Sequence, residues 1–291
     1  MMKSTTKKVK QDLSVVIARN VIRVFLVLWS ITIIIPIVWT LMTSLKSNGE
    51  ILKDAWSLPA RLQWVNYKIA WEEANFSKYF GNSLLLSVGT VALTLLLTTT
   101  TSYVVAKFVH PLINGIGKFY ALFMMVPQVL LLIPLYKLCQ RWQLTNGSTV
   151  FLTLIISNAL QGMPFYVFLM TPFIKGLNNS IFEAAEIDGA NQFQAFFRLV
   201  IPMSLPAIFM VCLLSFVGIW NEYGMSITFI QESAYFTVSV GIQDIMNNSK
   251  EFTDNVKFAA LMLAMIPILI VYIIFQKPLQ NGLSSSDGVK G

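Results

Sequence analysis

The sequence predicts an all-α integral membrane protein with six transmembrane helices. Three observations carry this expectation. Only 12% of the 291 residues are charged while 55% are hydrophobic, about half the charge content of an ordinary soluble domain. Mean hydropathy is +0.65. The charge-poor stretches are each long enough for a helix of about 20 residues, the length that crosses roughly 30 Å of hydrocarbon. A soluble chain of this size needs more polar surface than these residues supply.

The spans are expected near 24–45, 80–106, 118–139, 150–173, 207–230 and 258–276, making 24–276 the transmembrane domain between a basic N-terminal tail (1–23) and a C-terminal tail (277–291). Lys3, Lys7, Lys8 and Lys10 precede the first span in the manner of a signal peptide. That stretch is nevertheless longer than an h-region, contains Pro36 and lacks a small-x-small cleavage pattern, so it reads as a retained helix. In the second span the threonine run 98–101 reads as packing, since a threonine hydroxyl can bond its own helix backbone. His110 beside Pro111 reads as the loop before the third span, and Thr145, Asn146, Gly147 and Ser148 as the turn before the fourth. The fifth span carries Glu222 in an otherwise apolar helix, and the sixth is uninterrupted by charge.

Orientation follows from the basic residues. With the N-terminus inside, the inner segments hold twelve basic against five acidic residues and the outer segments nine against eight. The positive-inside rule therefore favours N-in, C-in, with most of the difference supplied by the N-terminal tail. The net charge of +7 is accounted for by this flanking pattern, and no basic and aromatic stripe suggests a nucleic-acid partner. Cys139 and Cys212 fall near opposite faces and cannot pair, and with one histidine no metal site is expected. Two outer connections, about 46–78 and 231–257, are long enough for an extracytoplasmic partner. Trp56, Trp64, Tyr67 and Trp71 in the first fit equally a headgroup anchor.

The inner loop 180–202 is the most informative segment. Ser180 with Glu183 has capping-box spacing, Gly189 is placed to stop the first helix in a left-handed conformation, and Phe193, Phe196, Phe197 and Val200 fall on one face of a second helix closed by Pro202. Ala184 and Ala185 allow close approach to a partner groove, Glu183, Glu186 and Asp188 can orient docking, and the aromatic face can pack beneath the membrane helices.

Glu183-Ala184-Ala185, then Gly189, then Leu199-Val200-Ile201-Pro202 resemble the EAA loop of binding-protein-dependent ABC importer permeases, with two aliphatics exchanged relative to the family pattern at 199 and 201. Asn82-Ser83-Leu84, Met125-Val126-Pro127, Ile133-Pro134-Leu135-Tyr136, Trp220-Asn221-Glu222-Tyr223 and the ending Gly288-Val289-Lys290-Gly291 extend the resemblance to the second, shorter permease of the maltose-type carbohydrate branch. Asp287 before Gly288 departs from that branch's usual ending.

The resemblance implies a type I ABC importer permease fold in a bacterial cytoplasmic membrane. It also implies a companion permease, two cytoplasmic ATPase subunits docked on the EAA loops and on the tail Gly288, Val289, Lys290 and Gly291, and an extracytoplasmic solute-binding protein. The cargo it implies is a sugar. Coupling would fall to Glu183, Ala184, Ala185, Asp188, Gly189, Phe193, Phe197 and Pro202. No phosphate-binding Gly-x-x-x-x-Gly-Lys motif occurs, since Gly115-Ile116-Gly117-Lys118 lacks the first glycine at the required spacing, so ATP hydrolysis is expected on another subunit. No catalytic residue or cofactor is expected.

Within the spans, Glu222 with Asn221 is a candidate for the translocation path or for a polar seam between permeases, because a lone intramembrane carboxylate is costly unless it meets water or a partner. Gln128, Asn158 and Gln161 suit hydroxyl recognition, since each amide donates and accepts. They suit helix–helix bonding equally. A secondary transporter would need more intramembrane charge than Glu222, and an embedded enzyme would need a nucleophile–base pair that is missing. A permease for a non-sugar solute is the alternative within the family.

Overall fold

A computed structural model describes residues 13–248 and 250–287; the four tail lysines at 3, 7, 8 and 10 and the ending Gly288, Val289, Lys290 and Gly291 lie outside them. Every regular element among the described residues is helical. Four helices are long and apolar enough to cross a membrane, in α1 (Leu13–Ser44), α4 (Phe76–Lys107), α7 (Thr149–Lys175) and α14 (Asp254–Asp287), and two bent pairs raise the number to six. Between α1 and α4 lie two short helices, α2 (Asn48–Lys53) and α3 (Val65–Glu72).

Two of the expected continuous spans are broken. The third is α5 (Pro111–Phe123) followed by α6 (Gln128–Arg141) at 101°. Pro127, which has no N–H to donate, stands in extended conformation before α6. The fifth approaches through a helical track, Gln192–Met203, that meets α11 (Leu205–Trp220) at 73°. The chain then breaks again at 221–223 before α12 (Gly224–Phe229). The outer helices also outrun the expected spans, α1 beginning at Leu13 and α14 running to Asp287 through Pro267 and Pro278.

α4 is the central strut and packs against α7 and α11, while α14 covers α11 and receives α1 and α3. Its face toward the bundle carries Ser83, Ser87, Thr90, Thr94, Thr98 and Ser102, all buried. Spacings of three and four put them on one side of the helix, and their small volume lets the helices approach closely. Ser87, Thr90, Thr94, Thr98 and Ser102 have no hydrogen-bond partner. The expected self-satisfaction of the threonine run is seen at Thr100, which donates to Leu96 O at 2.7 Å, whereas Thr99 turns to the Met170 sulfur at 3.7 Å.

The cores lie toward the two ends. At one, Phe76, Tyr79, Phe216, Trp220 and Ile245 are joined by Val256 and Ala260 of α14. At the other, Tyr103, Met170 and Ile174 meet Phe196, Val200, Ala207 and Val211. Cys139 is buried and Cys212 half-buried, both unpaired. His110 is the N-cap of α5, its Nδ1 accepting from Leu112 N at 3.3 Å. The turn before α7 contains Gly147 at φ +53°.

Candidate functional site: the exposed helical hairpin and the broken helices

The hairpin begins where α7 ends. α8 (Asn179–Ile187) is capped by Asn178, whose side chain accepts from Ser180 N at 3.0 Å. The expected capping box of Ser180 and Glu183 is therefore not formed, because the cap lies two residues earlier and Ser180 is already inside the helix. None of α8 is buried, so Glu183, Ala184, Ala185, Glu186 and Asp188 are free to meet another molecule, and Ile187 is 87% exposed. Gly189 takes φ +80°, and a side chain there would meet nothing within 4 Å. Its requirement is thus one of backbone conformation alone.

After that stop, Asn191 and Gln194 form a true capping box, Asn191 Oδ1 accepting from Gln194 N at 2.8 Å and Gln194 Oε1 from Asn191 N at 3.0 Å. Gln192–Ala195 then passes into a π turn, Phe196–Val200. The wider turn divides the expected single face. Phe196 and Val200 are buried, while Phe193 (72% exposed) and Phe197 pack their rings at a tilt, 4.7 Å apart, outside the core. Pro202 does not close this helix either. It lies in the short turn Ile201–Met203, and the direction changes at Ser204.

α4 holds the hairpin on both sides. Tyr103 donates its hydroxyl to Gln192 Oε1 at 2.7 Å. Lys107 donates to Asn179 Oδ1 at 2.8 Å and Leu177 O at 3.3 Å and lies 4.0 Å over the Phe182 ring. Sequence reasoning missed Tyr103, Lys107, Phe182 and Gln192. The one available signal was a basic residue at the end of α4, poised to reach carbonyl groups of a neighbouring loop.

The polar candidates of the spans divide differently. Glu222 is not in a continuous helix and is not without partners. It stands in the break after Trp220, where its carboxylate accepts from the backbone N–H groups of Met225 and Ser226 and from Ser226 Oγ. A carboxylate at the start of α12 meets otherwise unsatisfied amides, which offsets the cost of placing it in the bundle. Its own carbonyl accepts from Ser239 Oγ at 2.6 Å.

Gln161, midway along α7, directs Nε2 to the Met225 sulfur at 3.6 Å, and Gln128 donates to Gln161 O at 3.2 Å. The α5–α6 break, the middle of α7 and the α11–α12 break therefore meet. Asn158 and Asn221 instead bond carbonyls of their own helices, at Leu154 and Val217.

Residues 99–285 match the family of binding-protein-dependent transport system inner membrane components. The chain belongs to that family. It is thus a membrane-embedded, multi-pass permease component. The diacetylchitobiose uptake system permease protein NgcG of Streptomyces coelicolor is 32% identical to the permease over 265 residues, covering 89% of this chain and 85% of the relative. The melibiose/raffinose/stachyose import permease protein MelC of Bacillus subtilis is 30% identical, with 88% and 91% covered. A bacterial ABC transporter involved in import of the acidic polysaccharide alginate has a chain that superposes with a TM-score of 0.81 at 21% identity, covering 93% of the permease and 99% of that chain. At that identity the match establishes the fold. The hairpin lies wholly inside the family match.

Proposed function

We propose that this permease carries a sugar, of the di- or oligosaccharide class, into the cytoplasm as one of two membrane subunits of an ATP-driven importer, and that it is not itself an enzyme. The observation carrying the coupling role is the hairpin's construction. α8 has no buried residue, yet Tyr103 and Lys107 tie both its flanks to α4, and the track beyond it continues into α11. An ATPase subunit gripping Glu183, Ala184, Ala185 and Asp188 would therefore move α4 and α11 together. Gly189 sets the angle between the two arms, and Phe193 and Phe197 offer further contact beside α8. The tail Gly288, Val289, Lys290 and Gly291 is assigned a second ATPase contact by resemblance.

The sugar assignment draws on the relatives, whose names specify diacetylchitobiose and melibiose, raffinose or stachyose. The meeting of two broken helices halfway along α7, beside Gln128 and Gln161, supports it, since irregular backbone within a membrane-spanning bundle belongs where it lines a cavity. Asn158, Asn221 and Glu222 flank this junction as pathway residues, with Glu222 fixing the shape of the break. A companion permease would complete the path, and a solute-binding protein would deliver the sugar at the face opposite the hairpin. One solved structure of similar fold is an alginate ABC transporter in complex with an alginate pentasaccharide-bound periplasmic protein. The hairpin then faces the cytoplasm, with both termini on the same side.

Gly189→Val tests the coupling. A β-branched residue at positive φ costs about 1–2 kcal/mol and reorients the second arm. ATPase activity of the purified importer, with binding protein and sugar present, is expected to lose its substrate stimulation while the six spans remain inserted. Full stimulation with wild-type subunit stoichiometry would remove the hairpin from the mechanism. Uptake against a glycan panel in the reconstituted importer tests the cargo, and transport of no glycan would overturn the sugar assignment. Labelling of Asn191→Cys from outside intact cells would reverse the orientation.

A further inference from the structure

Beside the hairpin, the end of α4, the body of α5 and the last turns of α7 enclose a cleft of about 470 Å³. Lys118 of α5 and Lys175 of α7 stand at it with Asn114, Tyr120 and Thr171, and Phe168 extends its wall. No carboxylate lines it. Among the described residues neither lysine forms an ion pair or side-chain hydrogen bond, and the two ion pairs there join Lys68 to Glu72 and Lys257 to Asp254. Thr171 Oγ1 is buried on the cleft wall with no hydrogen-bond partner. Nearby Lys107, by contrast, is fully engaged with Asn179, Leu177 and Phe182.

We propose that this cleft binds the phosphate headgroup of an anionic phospholipid, held by Lys118 and Lys175 and seated on the Asn114 and Thr171 side chains. Two ammonium groups without a counter-charge offer a phosphate the charge complement that the protein omits. The orphan hydroxyl and the amide supply donors that an apolar partner would leave unused. Depth gives the second argument. Lys175 ends α7 at the level where α4 also ends, and Phe168 lies seven residues back along the helix, roughly 10 Å at 1.5 Å per residue. Phe168 is 59% exposed. The cleft thus places cations at the membrane boundary and an apolar wall where acyl chains begin, the order of groups within one phospholipid. The floor is tight, because a Cβ on Gly117 would lie 3.2 Å from Val105 Cγ1, so α5 cannot close onto α4 to fill the space. Phosphate headgroups flank both faces of a bilayer, and the site does not depend on the orientation proposed above.

The test is native mass spectrometry of the importer purified in non-ionic detergent. It would be offered phosphatidylglycerol, phosphatidylethanolamine of the same acyl chains, or inorganic phosphate. Phosphatidylglycerol should be retained in preference to phosphatidylethanolamine and should resist competition by inorganic phosphate. Lys118→Gln with Lys175→Gln should lower that retention about tenfold, and Lys53→Gln, remote from the cleft, should leave it unchanged. Ala121→Trp keeps both lysines but fills the cleft, and should lower retention likewise. Equal retention by the double variant, or equal retention of the two lipids, would overturn the proposal. Displacement by inorganic phosphate would assign the cleft to a soluble anion and overturn the lipid.

Discussion

Where α1 ends, Lys46, Asn66 and Asn255 are buried together. Where α4 and α7 end, Glu183, Asp188 and Phe193 stand in the open. In the first region Lys46 Nζ donates to the carbonyls of Asp54 and Ala55 and to Ser57 Oγ. Asn66 Nδ2 donates to Ser44 O and Lys46 O, and Asn255 Nδ2 donates to Asn66 Oδ1 at 2.7 Å. Trp39 closes the arrangement through Nε1 to Ala55 O and through edge contact with Phe258. Thus α1, the loop around α2, α3 and α14 are bonded into one cap. The hairpin buries Phe196 and Val200 of its second arm and has two polar anchor points on α4, but its first arm, α8, buries nothing. One end of the permease is finished within the chain; the other is left for a partner to finish.

The largest departure from this contrast should come from the cap. Lys46→Met and Asn66→Ala each remove several buried hydrogen bonds and are expected to cost about 2–4 kcal/mol, read as a fall in the unfolding temperature of the purified subunit and in its recovery from membranes. A change no larger than that of an exposed hairpin substitution would erase the distinction between the ends.

Glu222 probes the ground between them. Glu222→Ala leaves the α12 amides without an acceptor and should cost about 1–2 kcal/mol with loss of transport, whereas Glu222→Gln retains one acceptor and should fall between. Equal stability of all three proteins with selective loss of transport would restore the carboxylate as a group that acts on cargo.

At the hairpin, Tyr103→Phe deletes one hydrogen bond to Gln192, worth about 1 kcal/mol. It should depress sugar-stimulated ATPase activity while leaving the unfolding temperature nearly unchanged. A large stability loss would show that this bond holds the fold together and is not a coupling contact.

The smallest effect concerns acid. Glu50 accepts from Ser47 N and Ala60 N and from Ser47 Oγ, and these bonds, the backbone one from Ser47 foremost, hold its carboxyl below its ordinary value of 4.5. A lowered folded value contributes stability above pH 4.5 that disappears as pH falls through the lowered value. Glu50→Gln should flatten this dependence in an acid titration of the unfolding temperature; an unchanged slope would take Glu50 out of the cap.

Much of this architecture is legible in the residues. Long apolar runs give the spans because the bilayer demands length and continuity, and Gly189 announces its turn because few other residues accept that φ. The breaks at 124–127 and 221–223 were hidden because both flanks are apolar and composition is blind to backbone direction. Pro127 marks the first break, and Gly224 with the polar pair Asn221 and Glu222 marks the second. Glu222 reads as solitary because two of its three donors are backbone groups, which no side-chain pattern advertises, and the third is the neutral hydroxyl of Ser226. The cap of α8 was misplaced among Asn178, Asn179 and Ser180, three adjacent residues of similar capping power. The division of Phe193 and Phe197 from Phe196 and Val200 depends on a π turn, invisible to a count based on 3.6 residues.

The hydroxyl face of α4 bears on how such a subunit can work through many cycles. Between Ser87 and Ser102 the central helix meets the bundle through small side chains with no directed bonds, apart from the weak contact of Thr99 with the Met170 sulfur. Sliding or rolling a neighbour along that face therefore exchanges one set of dispersion contacts for another and ruptures nothing. A leucine zipper in the same place would have to climb out of its notches at every stroke. The strut that links the two ends is thus smooth only between Ser87 and Ser102; at its ends Phe76, Tyr79 and Leu86 on one side and Tyr103 on the other lock it into the cores.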